Sequence, residues 1–304
     1  MIYTVTLNPS LDYVISVDGF KSGAVNRAHE ARLNVGGKGI NVSAALKSLG
    51  FESLATGFIA GFTGGAIESG VREMGIAADF IRLPAGLSRI NVKLNTGEET
   101  EINAAGPEIT PDAAEELLSK LDHLLRKDDL LVLAGSLPPG LPTDFYQTIL
   151  RRLRKRNILS VVDTSDSAFL DTLTERPFLI KPNESELGAL FNKELETKEE
   201  IISCAGNLRT RGAHNVLVSR AEKGALLLAQ DGGVYEIGAA PGKAVNSVGA
   251  GDAMVAGFIA GWLRTKNYRE ALKLGTAAGG ATAFSRGIAT GKEIEQIFAQ
   301  IEKP

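Results

Sequence analysis

The sequence predicts an α/β fold: a mostly parallel sheet covered by helices on both faces, with a small, noncontiguous antiparallel sheet added to it. Three observations carry this. Short apolar runs alternate with segments of helical period along most of the chain. Those runs are apolar throughout, as strands buried on both faces are. Only two stretches, 12–35 and 88–103, alternate polar with apolar residues, the pattern of a sheet with one wet face.

In order, IYTVTLN (2–8) is a β-branched strand ended by Asn-Pro. DYVISVDGFKSGAVNRAHEARLNV (12–35) is the first alternating excursion. From about 39, INVSAALKSLG has helical periodicity with Gly50 as its stop signal. SLATGF (53–58) is a strand leading into the helix of GGAIESGVREMG. SRINVKLNTGEETEIN (88–103) is the second excursion, with NTGE as its hairpin turn. Three further units follow: DLLVLAG (129–135) before PTDFYQTILRRLRKR, ILSVVDT (158–164) before a short helix, and FLIKPN (178–183) before ESELGALF. HNVLVS (214–219) follows a helix, and the last sixty residues or so read as helices with small-residue faces. There is no repeat, low-complexity tract or long linker, so residues 1–304 are expected to form one domain. The two excursions join as one small sheet, which needs cover on its free face or edge.

A chain of 304 residues suffices for a large single core with an appendage. A net charge of −3 argues against a nucleic-acid partner and leaves room for a local basic pocket. The single cysteine, Cys204, excludes an internal disulfide and fits a reducing compartment. It sits in the helix-like EEIISCAGNLRTRG and reads as a plain buried residue. The start, MIYTVTLNPSLDYV, lacks a basic n-region and is interrupted by polar LNPS. The longest apolar stretch, about 253–263, is too short and Gly-rich to span a bilayer. A cytoplasmic protein with no membrane partner is expected. With three histidines and one cysteine there is no His/Cys cluster, so any metal would be a hard cation held by oxygens.

Neither G-x-x-x-x-G-K-[ST] nor a registered G-x-G-x-x-G is present, which weighs against P-loop and dinucleotide-binding readings. Two other glycine clusters, NVGGKGIN (34–41) and SVGAGD (247–252), each open a predicted helix. Helix N-termini offer unpaired N–H groups to anions, and glycines let the backbone come close. The amides of Gly249, Ala250 and Gly251 could cup a transferring phosphoryl group, with Asp252 at the mouth of the cup. A carboxylate there repels phosphate unless it accepts a proton from the attacking hydroxyl. The plainer reading is a first-turn helix acid, favoured by roughly 0.3–1 kcal/mol. The second cluster, with Lys38 and Asn41 at its helix start, favours chemistry.

Together, GGKGINVSAALKSLG and NSVGAGDAMVAGF, with KPNESE and SRAEKGALL between them, resemble the ribokinase/phosphofructokinase-B sugar kinase family. The resemblance covers essentially the whole chain. It implies a ribokinase-like three-layer α/β/α fold with a β-sheet lid, here about 12–35 and 88–103, and phosphoryl transfer from ATP with Mg²⁺ to a sugar hydroxyl. LNPSLDYV, NVGGKGINVS, ETEIN and AGSLPPG most resemble the 1-phosphofructokinases, with the tagatose-6-phosphate kinases next. The implied reaction is phosphorylation of a ketohexose phosphate, first fructose 1-phosphate to fructose 1,6-bisphosphate. A furanose is nearly symmetric about its ring, so fructose 6-phosphate and tagatose 6-phosphate stay open as acceptors. An unphosphorylated sugar or nucleoside, and a non-catalytic sugar-phosphate-binding regulator, are further alternatives.

By the same resemblance Asp252 is the catalytic base, and Gly249, Ala250 and Gly251 form the anion hole. Asp12, Gly37, Lys38 and Asn41 match sugar-contacting positions. Arg89, Asn103 and Ser136 are assigned to substrate, Arg89 because a guanidinium suits a phosphate. Arg27 and Lys93 are further candidates for that phosphate. Asn183 and Glu186 match an N-x-x-E motif that organises Mg²⁺ through water, and read equally well as a capping box. Lys181 is expected to face phosphate. Ser219, Arg220, Glu222 and Gly224 are expected at the ATP site, or in a turn joining two strands. Asn246-Ser247 replaces the Asp-Thr of many family members, an acid linked to a monovalent-cation site, which leaves K⁺ dependence open. The lid carries Val14, Ile15, Val17, Ile90, Val92 and Leu94 on a sheet too small to be stable alone. It is therefore expected to pair with a second lid in a homodimer, Arg27 reaching the neighbour's sugar phosphate.

Overall fold

The computed structural model describes residues 1–97, 99–164 and 168–301; Glu98 of the expected NTGE turn lies outside them. In chain order the strands are β1 (Ile2–Thr6), β2 (Ser10–Ser16), β3 (Glu30–Gly36), β4 (Ser53–Ala60), β5 (Ala77–Ala78), β6 (Ile81–Leu83), β7 (Arg89–Asn95), β8 (Glu99–Ile102), β9 (Leu130–Ala134), β10 (Leu159–Asp163), β11 (Leu179–Ile180), β12 (Asn215–Ser219), β13 (Ala225–Leu228) and β14 (Val234–Ile237). The helices are α1 (Lys38–Ser48), α2 (Gly61–Glu73), α3 (Pro111–Leu124), α4 (Phe145–Leu153), α5 (Ala168–Thr172), α6 (Glu184–Leu190), α7 (Lys198–Thr210), α8 (Ala250–Thr265), α9 (Tyr268–Ala283) and α10 (Gly291–Gln300).

The main sheet runs β14-β13-β12-β11-β10-β9-β1-β4-β5, with β6 also paired to β4. It is parallel from β12 to β6, and β13 and β14 close one edge as antiparallel strands. Alternation along the strands feeds two cores. Tyr3, Val5, Leu131, Leu133 and Val162 pack with α3, α4 and α7 on one face. Ile2, Leu130, Val132, Val161 and Leu179 pack with α1, α8, α9 and α10 on the other. This is the three-layer α/β/α arrangement, and burial on both faces explains why the strands are apolar throughout. The small-residue faces let α8 and α9 pack backbone to backbone. A Cβ on Gly257 would lie 2.5 Å from the Leu274 carbonyl oxygen, and one on Gly261 2.6 Å from Ala271 Cα.

The second sheet runs β3-β2-β7-β8. Its outer pairs, β2 with β3 and β7 with β8, are antiparallel, and the two hairpins join through a parallel pair, β2 beside β7. Residues 17–29 of the first excursion form a loop. Cys204 is buried in α7. No helix among the described residues is long and apolar enough to cross a membrane.

Candidate active site

The chain passes from β1 to β4 on one side of the sheet, and β9 to β12 extend the other side. Loops therefore diverge at the C-terminal ends of β1 and β9, where doubly wound sheets open a crevice. Asn8 follows β1, Ser136 follows β9, Asp163 ends β10 and Lys181 follows β11. The first turns of α1 and α8 meet there too, through Asn41 and Asp252.

Gly249 caps α8 with φ +79°, a left-handed conformation natural to glycine, and a Cβ there would lie 2.8 Å from Ile288 Cδ1. The cap puts Asp252 in the first turn. Of the amides expected to form the anion hole, that of Ala250 already donates to the Ser247 carbonyl oxygen at 3.2 Å, closing the turn instead. Asp252 is 5% exposed, and its Oδ2 accepts a hydrogen bond from Asn41 Nδ2 at 2.8 Å. Burial, and next the charge of Asp163, push its carboxyl up to about 6. Lys38, the Asn41 hydrogen bond and Lys181 hold it from rising further.

Asp163, which sequence reasoning did not single out, ties the site together. It is 1% exposed, and its Oδ1 lies 3.2 Å from Lys38 Nζ and 3.5 Å from Lys181 Nζ. Burial opposes its charge, but Lys181 and Lys38 outweigh that and hold its carboxyl below the ordinary range. Burial likewise opposes the charge of Lys38, and Asp163, followed by Asp252, raises it above the usual lysine value. A Cβ on Gly251 would sit 3.2 Å from Lys181 Nζ, so this ammonium abuts the start of α8. The signal for Asp163 was its place: an acid closing an otherwise apolar strand, VVD.

On the side of the second sheet, Asp12 Oδ1 accepts from Ser10 Oγ at 2.7 Å and from Asn91 Nδ2 at 3.0 Å. Ser10 and Asn91 were also not singled out. Lys93 is turned inward, 3.0 Å from Glu101 and 3.8 Å from Asp12, so two carboxylates already balance its charge. Arg89 Nε donates to the Asn8 carbonyl oxygen at 3.1 Å, leaving the outer guanidinium nitrogens for other partners. Burial pulls Arg89 below the ordinary arginine value, with Asp12 opposing this. Arg89, Asn8 and Ser136 line a cleft of about 430 Å³ with Ala104, Ala105 and Pro138. Gly37 caps α1 at φ +128°. Asn103 is exposed at the rim, where Nδ2 donates to Glu101 at 3.3 Å. Arg27 is exposed in the loop between β2 and β3, away from the cluster.

Asn183 and Glu186 form a capping box on α6: Asn183 Oδ1 accepts from the Glu186 N–H at 2.7 Å, and Glu186 Oε2 from the Asn183 N–H at 2.8 Å. Glu186 lines a cavity of about 290 Å³ together with Lys181. SRAEKG makes the turn joining β12 to β13. A Cβ on Gly224 would lie 2.1 Å from the Ile237 carbonyl oxygen, so the turn itself demands this glycine. Ser219 bridges to Asn183, while Glu222 is exposed. Arg220 is taken by Glu184 at 3.1 Å and Glu236 at 2.9 Å, and so is spent on structure.

A buried carboxylate poised near 6, beside a glycine-rich helix start and two lysines, can take a proton from a hydroxyl while the cations offset charge on a phosphoryl group. The pattern of the pfkB family carbohydrate kinases matches residues 5–295. The 1-phosphofructokinase of Bacillus subtilis is 43% identical over 302 residues, spanning 99% of both chains. The D-tagatose-1-phosphate kinase of Bacillus licheniformis is 38% identical over 303 residues, again 99% of both. The solved phosphofructokinase-2 of Escherichia coli in complex with potassium has a TM-score of 0.93 and 27% identity over 99% of both chains. The chain thus belongs to the pfkB family of carbohydrate kinases and is a sugar phosphotransferase.

Proposed function

We propose that the chain transfers the γ-phosphoryl group of ATP to the free primary hydroxyl of fructose 1-phosphate, giving fructose 1,6-bisphosphate. The observation that carries this is Asp252, buried, held by Asn41 and raised to about 6 beside Gly249–Gly251. The hydroxyl oxygen attacks the γ-phosphorus, its proton passes to Asp252, and the bond to the bridging oxygen breaks to release ADP. The amides of Gly249 and Gly251 and the ammonium groups of Lys38 and Lys181 stabilise charge on the transferring group. Asp12 and Asn41 grip the sugar. Arg89 and Ser136 receive the phosphate it already carries, in the cleft they share with Asn8. Asn103 closes the rim. The near full-length identity to a 1-phosphofructokinase supports fructose 1-phosphate over the 6-phosphates.

Asn183 and Glu186 fit Mg²⁺ held through its waters, since the capping box uses only one Glu186 carboxylate oxygen. Bound there, Mg²⁺ would neutralise nucleotide phosphate charge. Ser219 and Gly224 border the nucleotide side. Asn246 Oδ1 accepts from the Val248 N–H at 3.0 Å, and its Nδ2 donates to the Arg286 carbonyl oxygen at 3.4 Å. A neutral side chain already links these loops, which favours turnover without K⁺. The protein acts in the cytoplasm, where its co-substrates are found.

The second sheet serves as a lid, and two lids pack in a homodimer. Register aligns Leu33, Tyr13, Val92 and Ile102 in one row across all four strands. Three of them, Leu33, Tyr13 and Ile102, are 57%, 39% and 60% exposed. A second copy of the same row is the isologous cover such a face calls for, and it would bring the exposed Arg27 toward the neighbouring site.

A second reading, a tagatose phosphate as acceptor, follows from the 38% identity to a tagatose-1-phosphate kinase. Coupled ADP release is to be measured with fructose 1-phosphate, fructose 6-phosphate, both tagatose phosphates and the free sugars, with and without K⁺. The highest kcat/KM is expected for fructose 1-phosphate. Preference for a 6-phosphate or a free sugar overturns the acceptor assignment, and no turnover with any of them leaves a sugar-phosphate-binding regulator.

A further inference from the structure

We propose that Asp163 is a positioning residue, holding Lys38 and Lys181 so that both ammonium groups face the phosphoryl group in transfer. The inference rests on the kinase reading of the same site. Lys38 begins α1 and Lys181 follows β11, so the two stems approach from different elements and converge on one oxygen, Oδ1 of Asp163. The carboxylate ends a central strand and is 1% exposed, with Oδ1 covered by the two ammonium groups. Its negative charge would oppose phosphate if it acted directly, so its value lies in what it holds. A lysine is a point charge on a flexible four-carbon stem, and unpinned it would sample many positions in an open crevice. Two cations on one anion also leave a net positive charge beside the first turn of α8, which Lys181 abuts at Gly251.

Oδ2 of Asp163 is buried without a hydrogen-bond partner. A buried carboxylate half satisfied is costly, and its presence at this position fits a functional demand better than a packing one. The charged groups facing Asp252 are Asp163, Lys38 and Lys181. Removing the Asp163 charge therefore acts on Asp252 as well as on the lysines.

Asp163→Asn keeps the shape and removes the anchor. Turnover should fall by roughly 10²-fold, the effect of misplacing reacting groups by about an ångström, while KM for the sugar phosphate changes less than about threefold. MgATP affinity, read by calorimetry without any acceptor, should weaken measurably, and the acid limb of kcat/KM should move to lower pH. Because calorimetry needs no acceptor, failure of the fructose 1-phosphate reading would appear as an inactive wild type with normal ATP binding, separate from failure here. Unchanged ATP affinity together with an unchanged acid limb overturns the proposal. So does a defect repaired simply by raising Mg²⁺, which would make Asp163 a metal ligand. If Asp163→Asn does not fold, wild-type lysine ammonium resonances decide. Two signals protected from exchange are expected, one lost in Lys38→Met and the other in Lys181→Met, and the absence of protected signals overturns the proposal.

Discussion

Asn41 and Asp252 belong to helices at opposite ends of the chain, yet their side chains meet at 2.8 Å, the Asn41 amide donating to Asp252 Oδ2. The bond fixes the rotation of the carboxylate and favours its ionised form, against the burial that favours the neutral one. The balance leaves Asp252 at about 6, low enough to be ionised at neutral pH and high enough to accept a proton.

The acid limb of kcat/KM follows from that balance. Below about pH 6 Asp252 is protonated and cannot act as a base, so kcat/KM should fall about tenfold per unit there. A pH series with fructose 1-phosphate checks this. A profile flat down to pH 4.5 would show that no such group governs the reaction.

Stability should move the other way in Asp252→Asn. The folded-state value is raised from 3.8 to about 6, so the ionised side chain costs the folded protein stability above pH 6. At about 1.4 kcal/mol per unit, the substitution should stabilise by on the order of 1–3 kcal/mol at pH 7–8. That gain should shrink as pH falls from 6 toward 4, where wild-type Asp252 takes up its proton. Urea denaturation at pH 7.5 and pH 4.5 measures it, and a variant less stable at both values contradicts the electrostatic account.

Arg89→Ala should mainly raise the KM for sugar phosphate. Losing a charge-assisted hydrogen bond to phosphate costs about 1.5–3 kcal/mol, a factor of roughly 10–100 in kcat/KM. Weak turnover of the free sugar should hardly change. Equal damage to both substrates would assign Arg89 to structure, through its bond to the Asn8 carbonyl.

Much of this fold and site can be read from the sequence, for identifiable reasons. The apolar runs in β1, β9 and β10 feed cores on both faces of the sheet, which makes them easy to see. The glycine clusters were visible because the tight cap at Gly249 leaves a mark in residue type. The hairpin of β12 and β13 is the alternative that SRAEKG offers as a turn joining two strands, whereas β14, the outermost strand, leaves no comparable mark. Helix α3 is announced only by its Thr110 cap and Pro111, with no glycine cluster or chemistry-bearing motif beside it. The parallel join of β2 to β7 lay beyond alternation, which reports faces and not neighbours. Asp163, Ser10 and Asn91 escaped because they act on other side chains, and only proximity reveals that. Arg220 shows the reverse: a motif residue that neighbouring acids claim for structure.

Val92→Glu puts a charge into the apolar row of the lid, between Tyr13 and Ile102. It should dissociate the dimer, as read by sedimentation at micromolar concentration, and raise the KM for sugar phosphate. A wild type that is monomeric and fully active at that concentration removes the lid dimer from the account.

Whether Asp252 is the base of a sugar-phosphate kinase is decided by the turnover of Asp252→Asn with fructose 1-phosphate and MgATP. Sugar-phosphate binding, measured by calorimetry, should stay near wild type while kcat falls by roughly 10²–10⁴-fold, the usual worth of a positioned base. Wild-type-like kcat in a pure preparation would contradict the claim.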